Sequence, residues 1–317
     1  MYDVLSPVGS GSLGIMTSKD RYSCIEPYRD LYPFQPNLLE LTDGNIHYVD
    51  VGPKNAPTIL FVHGNPTWSF YYRNLIQALR TDYRCVAIDH LGCGLSDKPQ
   101  RYNYCLSNHI ANLQALVDHL EIAEYHLVVH DWGGMIGFGL ATDAPEKAKS
   151  FFILNTCAFR LPHVNNFPIR IAACRVPLFG RVATRIFNGF SRGASLMASV
   201  SPENTRREKD GLMAPYNNYR NRVAVHQFVK DIPLKQDHQS WHRLVGIEEK
   251  LEIFKDHPKQ IVWGKQDFCF DDHFLAEWKR FFPDIPTHEI HNAGHYVLED
   301  SRQEVIDKAI QFFQNQA

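Results

Sequence analysis

In VVHDWGGMIG, residues 128–137, an apolar run ends at an aspartate, and two glycines then open what reads as a helix. A strained strand-to-helix turn at Asp131 would lift its carboxylate out of the sheet at the carboxyl end of a strand, where open sheets bind ligands. An aspartate is already anionic at neutral pH, so it needs no base to become a nucleophile and suits attack at saturated carbon. The N–H of Trp132 points toward the same spot. The plainer alternative is that Asp131 merely N-caps the helix that begins at Trp132.

Three other loops bear on that choice. In HNAGHYVLED, residues 291–300, His295 sits on a glycine-containing loop after the last strand and before the terminal helix. His291 competes for the same role, but it ends the strand and points along it. In IVWGKQDFCFDDHF, residues 261–274, Asp267 follows the penultimate strand. Asp271 and Asp272 are its rivals, yet they read as the first turn of a helix, where carboxylates favour the dipole. In FVHGNPTWSFYYR, residues 61–73, a strand ends at His63 and Gly64. There backbone N–H groups of the loop can supply the other half of an oxyanion hole, and His63 reads as a brace for the loop. Nucleophile, acid and histidine (Asp131, Asp267, His295) follow the chain order of hydrolase triads, which weighs against the N-cap reading.

These loops need a sheet to hold them. Leu38–Leu41 and Ile46–Val51 flank the hairpin turn Thr42-Asp43-Gly44-Asn45. Short apolar runs follow at Thr58–Val62, Arg84–Ile88, Tyr125–Val129 and Phe151–Asn155, with helical patterns near 70–80, 107–121 and 132–143 between them. The alternation predicts an α/β fold with a parallel sheet covered on both faces. Residues 158–238 are rich in Arg, Phe, Asn and Pro without a buried strand, and they read as a helical cap. The pattern resumes at Lys259–Trp263, a helix near 272–281, Thr287–His291 and a last helix near 300–315. The expected organisation is an N-terminal arm over 1–30, a core over 31–157 and 239–317, and the cap over 158–238.

Composition excludes several classes. The 317 residues carry 33 basic and 35 acidic side chains, well mixed overall, for a formal charge of −2, so no nucleic-acid footprint or polybasic membrane patch stands out. The seven cysteines are odd in number and form no CxxC, which predicts reduced, mostly buried thiols and a cytoplasmic setting. The first residues do not read as a signal peptide, and no apolar run is long enough for a membrane span. Gly92-Cys93-Gly94 is a loop rather than a dinucleotide fingerprint. His109 and His119 are not spaced as a metal pair, so neither metal nor cofactor is expected.

Taken together, HGNPTWSFYYR (63–73), DHLGCGLSDKP (89–99), VVHDWGG (128–134), WGKQDF (263–268) and AGHYVLED (293–300) resemble the haloalkane dehalogenases, from about Tyr32 to Phe313. The resemblance implies an α/β-hydrolase fold, with a mostly parallel eight-stranded sheet flanked by helices and a helical cap insertion. It assigns Asp131 as nucleophile, His295 as base and Asp267 as orienting acid, since no acid occupies Leu154-Asn155-Thr156. It places the leaving halide between Trp132 and Asn65, whose N–H groups would also hold the oxyanion. Asn, Trp and a late Asp together are similar to the third dehalogenase subfamily, whose members tend to form large homo-oligomers.

On this resemblance Asp131 displaces halide from a small apolar halogenated substrate. His295 then activates water to hydrolyse the alkyl ester, releasing alcohol and halide ion without a cofactor. Phe167, Phe179, Phe187, Phe190 and Met197 are candidate pocket walls, with packing between cap helices as their alternative role. Two rival enzymes share the elbow. One is an epoxide hydrolase, which would use a tyrosine pair such as Tyr216 and Tyr219. The other is a β-lactone decarboxylase of long-chain olefin biosynthesis, which shares the same Asp, His, Asn and Trp. A ligand binder keeping a hydrolase pocket is a third reading, which the complete triad opposes.

Overall fold

The computed structural model describes residues 18–162, 168–201 and 205–316. Eight strands form one sheet: β1 (Asn37–Leu41), β2 (Gly44–Val51), β3 (Thr58–Val62), β4 (Arg84–Ile88), β5 (Tyr125–Asp131), β6 (Ala148–Thr156), β7 (Lys259–Gly264) and β8 (Thr287–Ile290). Their spatial order is β1-β2-β4-β3-β5-β6-β7-β8. The hairpin partner β1 and the β2–β4 pair are antiparallel, and every other pair is parallel. Strands β3 and β5 are buried along their whole length, as strands covered on both faces must be. Fully burying each Leu, Ile, Val or Phe side chain contributes about 1.5–3 kcal/mol, which fixes register in the centre of the sheet.

The chain begins its described part with α1 (Ser18–Ser23), and α2 (Arg73–Leu79), α3 (Leu106–His119) and α4 (Trp132–Asp143) alternate with the strands. Of the arm expected over 1–30, residues 1–17 lie outside the described residues. Of the remainder, Arg21 and Ile25 are buried, and Arg21 forms an ion pair with Asp97 at 2.5 Å.

Between β6 and β7 run α5 (Ile169–Arg175), α6 (Pro177–Arg181), a π-helical turn (Val182–Ile186), α7 (Gly189–Met197), α8 (Arg206–Met213), α9 (Val223–Asp231) and α10 (Trp241–Lys250). No strand occurs there among the described residues. The last of these helices, α10, packs on α4 of the sheet layer, whereas α5 packs on α6 and α9. The chain closes with α11 (Asp272–Phe281), α12 (Val297–Asp300) and α13 (Arg302–Gln314). Asp271 caps α11 by accepting the His273 N–H at 3.0 Å, so it belongs to the helix end as its position suggested.

Candidate active site

Asp131 closes β5 with φ 54° and ψ −127°, a conformation costly for a residue with a Cβ. Its side chain makes no cap hydrogen bond to α4, so the N-cap reading does not hold. The turn is enforced by close packing. A Cβ on Gly133 would lie 1.9 Å from the Val62 carbonyl oxygen, and the Thr156 hydroxyl bonds the Asp131 carbonyl. The raised carboxylate faces the Asn65 N–H, which donates to Oδ1 at 2.5 Å. The Trp132 N–H, the second donor expected, opens α4 and makes no hydrogen bond to the carboxylate here.

His295 completes the arrangement. Its Nδ1–H donates to Asp267 Oδ2 at 2.7 Å, and its Nε2 lies 3.5 Å from Asp131 Oδ2. All three side chains are buried, and the Phe270 ring stacks on the imidazole at 5.6 Å. Burial opposes a charge on His295, but the Asp267 carboxylate, the contacts to both carboxylates and the charge of Asp131 outweigh it and raise its pKa to about 10. Burial likewise opposes ionisation of Asp131, yet His295 and the Asn65 N–H hold its carboxyl below the usual carboxylate value. The resting triad is therefore an imidazolium between two carboxylates.

Two residues that the sequence did not single out hold this set in place. Strand β6 carries an irregularity against β5: Leu154 pairs with His130 but Thr156 with Asp131, which leaves Asn155 as the extra residue at φ 23°. Its side chain turns toward β7. Oδ1 accepts the Gly264 N–H at 2.8 Å, and Nδ2 donates to the Gly264 carbonyl and to Asp267 Oδ2, both at 3.0 Å. Asp267 Oδ1 takes the N–H groups of Cys269 and Phe270 at 2.7 and 3.0 Å. His130 donates from Nε2 to the His295 carbonyl at 2.8 Å, bracing the histidine loop. Burial pushes its pKa down to about 3, so it serves as a neutral donor.

The rival residues lie elsewhere. His63 donates to the Gly64 carbonyl at 2.7 Å and accepts the His90 N–H at 3.0 Å, which makes it the expected brace. His291 is exposed. The fully buried Tyr216 bonds Thr67 and Gly94, and the Tyr219 hydroxyl accepts from Arg181. Neither tyrosine lines the cavity over Asp131, so neither stands where the tyrosine acid of an epoxide hydrolase would.

A cavity of about 100 Å³ opens over Asp131, lined among others by Asn65, Trp132, Ile171, Phe190, Val229 and Phe268. Its walls are mostly apolar and come from both the sheet loops and the helices between β6 and β7. Phe190 is the one expected pocket wall found there. Phe179 and Phe187 point outward at 57% and 65% exposure, Met197 does not line the cavity, and Phe167 lies outside the described residues. The Trp132 indole N–H has no acceptor among the described residues. The Asn65 amide is less free than expected: Nδ2 donates to the Val225 carbonyl at 3.2 Å, which leaves one N–H for a ligand, while its Oδ1 is buried without a partner. No group of metal-ligating side chains occurs among the described residues.

A model of the alpha/beta hydrolase fold matches residues 57–301. The chain belongs to the alpha/beta hydrolase family. Within this family it is 43% identical over 279 residues, 87% of each chain, to a cis-3-alkyl-4-alkyloxetan-2-one decarboxylase of Shewanella oneidensis. It is 40% identical to a decarboxylase of the same name from Xanthomonas campestris pv. campestris, covering 89% of this chain and 96% of the other. Haloalkane dehalogenase 2 of Mycobacterium tuberculosis is 30% identical, over 90% of this chain and 98% of its own. The fold of this alpha/beta hydrolase is also that of haloalkane dehalogenase DbeA from Bradyrhizobium elkani, at TM-score 0.79 and 23% identity over 87% and 96% of the two chains. A putative ancestral haloalkane dehalogenase superposes with TM-score 0.81 at 23% identity, over 88% and 99%.

Proposed function

We propose that this alpha/beta hydrolase decarboxylates cis-3,4-dialkyl β-lactones (oxetan-2-ones) to olefins, with Asp131 as nucleophile. The observation that carries the reading is the higher identity, 43% and 40% against 30%, to relatives named for that reaction than to one named for dehalogenation. The dehalogenase reading, with a halide as leaving group, takes second place. It is favoured by the two neutral donors, the Trp132 indole and the remaining Asn65 N–H, which suit a halide ion.

The geometry supports a balanced route. Asp131 Oδ2, the carboxylate oxygen beside His295 Nε2, attacks C4 of the lactone with inversion. The C4–O1 bond breaks and its electron pair leaves on the ring carboxylate, which Asn65 and Trp132 hold. The C3–C2 bond then breaks, carbon dioxide departs, its electron pair forms the C3=C4 double bond, and Asp131 leaves C4 as a carboxylate. Inversion followed by anti elimination turns a cis lactone into a cis olefin. No water is consumed, and the His295 imidazolium stabilises the departing Asp131 carboxylate. Dehalogenation differs only after the first step. Alkylation neutralises Asp131 in both routes; the freed lactone carboxylate replaces its charge beside the imidazolium until carbon dioxide leaves, whereas after halide release His295 can give up its proton and activate water. The helices over residues 158–238 act as the cap that closes the apolar cavity in either case.

The test is a side-by-side assay of the wild-type enzyme with a cis-3,4-dialkyl oxetanone and with several bromoalkanes. Olefin and carbon dioxide in equal amounts, at a kcat/KM well above that for halide release, support the decarboxylase. Halide and alcohol from the bromoalkanes with an inert lactone would replace it with the dehalogenase.

A further inference from the structure

Although charge is well mixed over the whole chain, it is not mixed locally. From Arg160 to Pro202 there is no aspartate or glutamate, while Arg170, Arg175, Arg181, Arg185 and Arg192 fall within that stretch. Among the described residues none of these five arginines pairs with a carboxylate. Arg175 donates to the carbonyls of Val229 and Ile232, and Arg181 and Arg185 bond Tyr219, with Arg185 also reaching Gln100. Arg170, Arg181 and Arg192 are exposed.

The same stretch gathers apolar surface. Of the ten exposed large hydrophobic residues in the described chain, six lie between 169 and 187: Ile169, Val176, Leu178, Phe179, Ile186 and Phe187. Ile169 is 83% and Leu178 75% exposed. They lie in or directly beside α5, α6 and the π-helical turn, with α6 packing on both of the others. Exposed apolar side chains scattered singly need no explanation, but a cluster interleaved with unpaired cations does.

We propose that this face, α5, α6 and the following turn, docks on the surface of an anionic lipid bilayer. The apolar side chains would enter the interface, and the arginines would lie at the phosphate level. Charge decides between occupants. A second copy offering the same face would bring cations against cations, whereas an anionic surface matches both halves of the pattern. Helix α5 links this face to the chemistry, since Ile169 is exposed while Ile171, two residues on, lines the cavity above Asp131. A docked molecule would hold its cavity mouth near the phase in which a dialkyl lactone dissolves. The docking rests on the surface alone; only this delivery role rests on the decarboxylase reading.

The test is flotation of the full chain with vesicles of phosphatidylcholine, with and without phosphatidylglycerol, at low and high salt. Flotation with the anionic vesicles, weakened by salt, is the expected result. The pair Leu178→Asp and Phe179→Asp should weaken it by more than tenfold. Arg170→Ser and Arg181→Ser should each cost roughly fivefold, the contribution of one cation near an anionic surface. Turnover of a short-chain, water-soluble lactone should not change in the Leu178/Phe179 variant, because neither side chain lines the cavity. Absence of flotation with anionic vesicles, or flotation indifferent to both sets of substitutions, overturns the proposal. So does self-association of the wild type that the Leu178/Phe179 variant abolishes without any vesicle binding, since the face would then be an interface between copies. Flotation reads docking without turnover, so loss of the decarboxylase reading would leave this result standing.

Discussion

Asp267→Asn should give decarboxylation and dehalogenation opposite pH dependences. Asp267 accepts four hydrogen bonds, at 2.7 and 3.0 Å from the Cys269 and Phe270 N–H groups and at 3.0 and 2.7 Å from Asn155 and His295. A carboxylate can accept all four, but an asparagine offers one acceptor oxygen. The two backbone donors are fixed, so the amide oxygen stays with them and its NH₂ turns toward Asn155 and His295. The histidine then loses a counter-charge and favours the tautomer protonated at Nε2. An adjacent opposite charge shifts a pKa by roughly 1–3 units, or about 1.4–4 kcal/mol. From about 10 in the wild type, the imidazole should therefore titrate close to the working pH. Olefin formation, which uses the imidazolium, should fall about tenfold per pH unit above that new value. Ester hydrolysis, which needs a neutral base in the other tautomer, should be slower by up to about 10⁴-fold and should rise with pH. Gas chromatography of the olefin and halide release from a bromoalkane, both followed from pH 6 to about 9.5, provide the comparison, with NMR titration of His295 as control. An olefin rate that is flat or rising with pH in the variant, or a His295 that still titrates where it does in the wild type, would refute the reasoning.

Other substitutions test the supporting geometry. Gly64→Ala would place a Cβ 2.0 Å from Asp131 Oδ1, displacing the carboxylate from the Asn65 N–H; turnover should fall about 100-fold in a protein whose circular dichroism is unchanged. Asn155→Ala leaves both Gly264 backbone groups unpaired in a buried site and keeps a Cβ at positive φ, so calorimetry should show a loss of about 2–5 kcal/mol, or roughly 5–15 °C in Tm. Because the folded-state pKa of His295 is raised to about 10, its stabilisation is fully present below its unfolded value near 6.5 and is lost as pH climbs between the two. The Tm advantage of the wild type over His295→Gln should therefore shrink across that window, and a constant difference would contradict the buried imidazolium.

Much of the fold was legible because period and punctuation carry it. The apolar runs at 58–62 and 84–88 coincide with β3 and β4, since strands buried on both faces are apolar beyond their first residues, here Thr58 and Arg84. Strand β5 runs two residues past the expected Val129, because His130 is buried under its hydrogen bond to the His295 carbonyl. Asp131, Asp267 and His295 were legible from residue type at three strand ends. Asn155 was not, because its part depends on an irregularity between two strands, and a strand-end asparagine has no distinguishing pattern. The cap interior was the least legible. Phe179, Phe187 and Phe190 look alike in sequence, and only the packing of α5, α6 and α7 decides which one faces the cavity. The chemistry beyond the first step was equally hidden, because a carboxylate that attacks saturated carbon serves a halide or a lactone oxygen alike.

The most direct test of Asp131 as the nucleophile of a lactone decarboxylation is product analysis of a pure cis-3,4-dialkyl oxetanone, treated with the wild type and with Asp131→Asn. Nucleophilic attack at C4 predicts cis olefin and carbon dioxide in equal amounts from the wild type, and a loss of at least about 10⁴-fold in the variant, as when a nucleophile is removed from a triad. Olefin formation that survives in Asp131→Asn, a trans olefin, or a β-hydroxy acid in place of the olefin would contradict it.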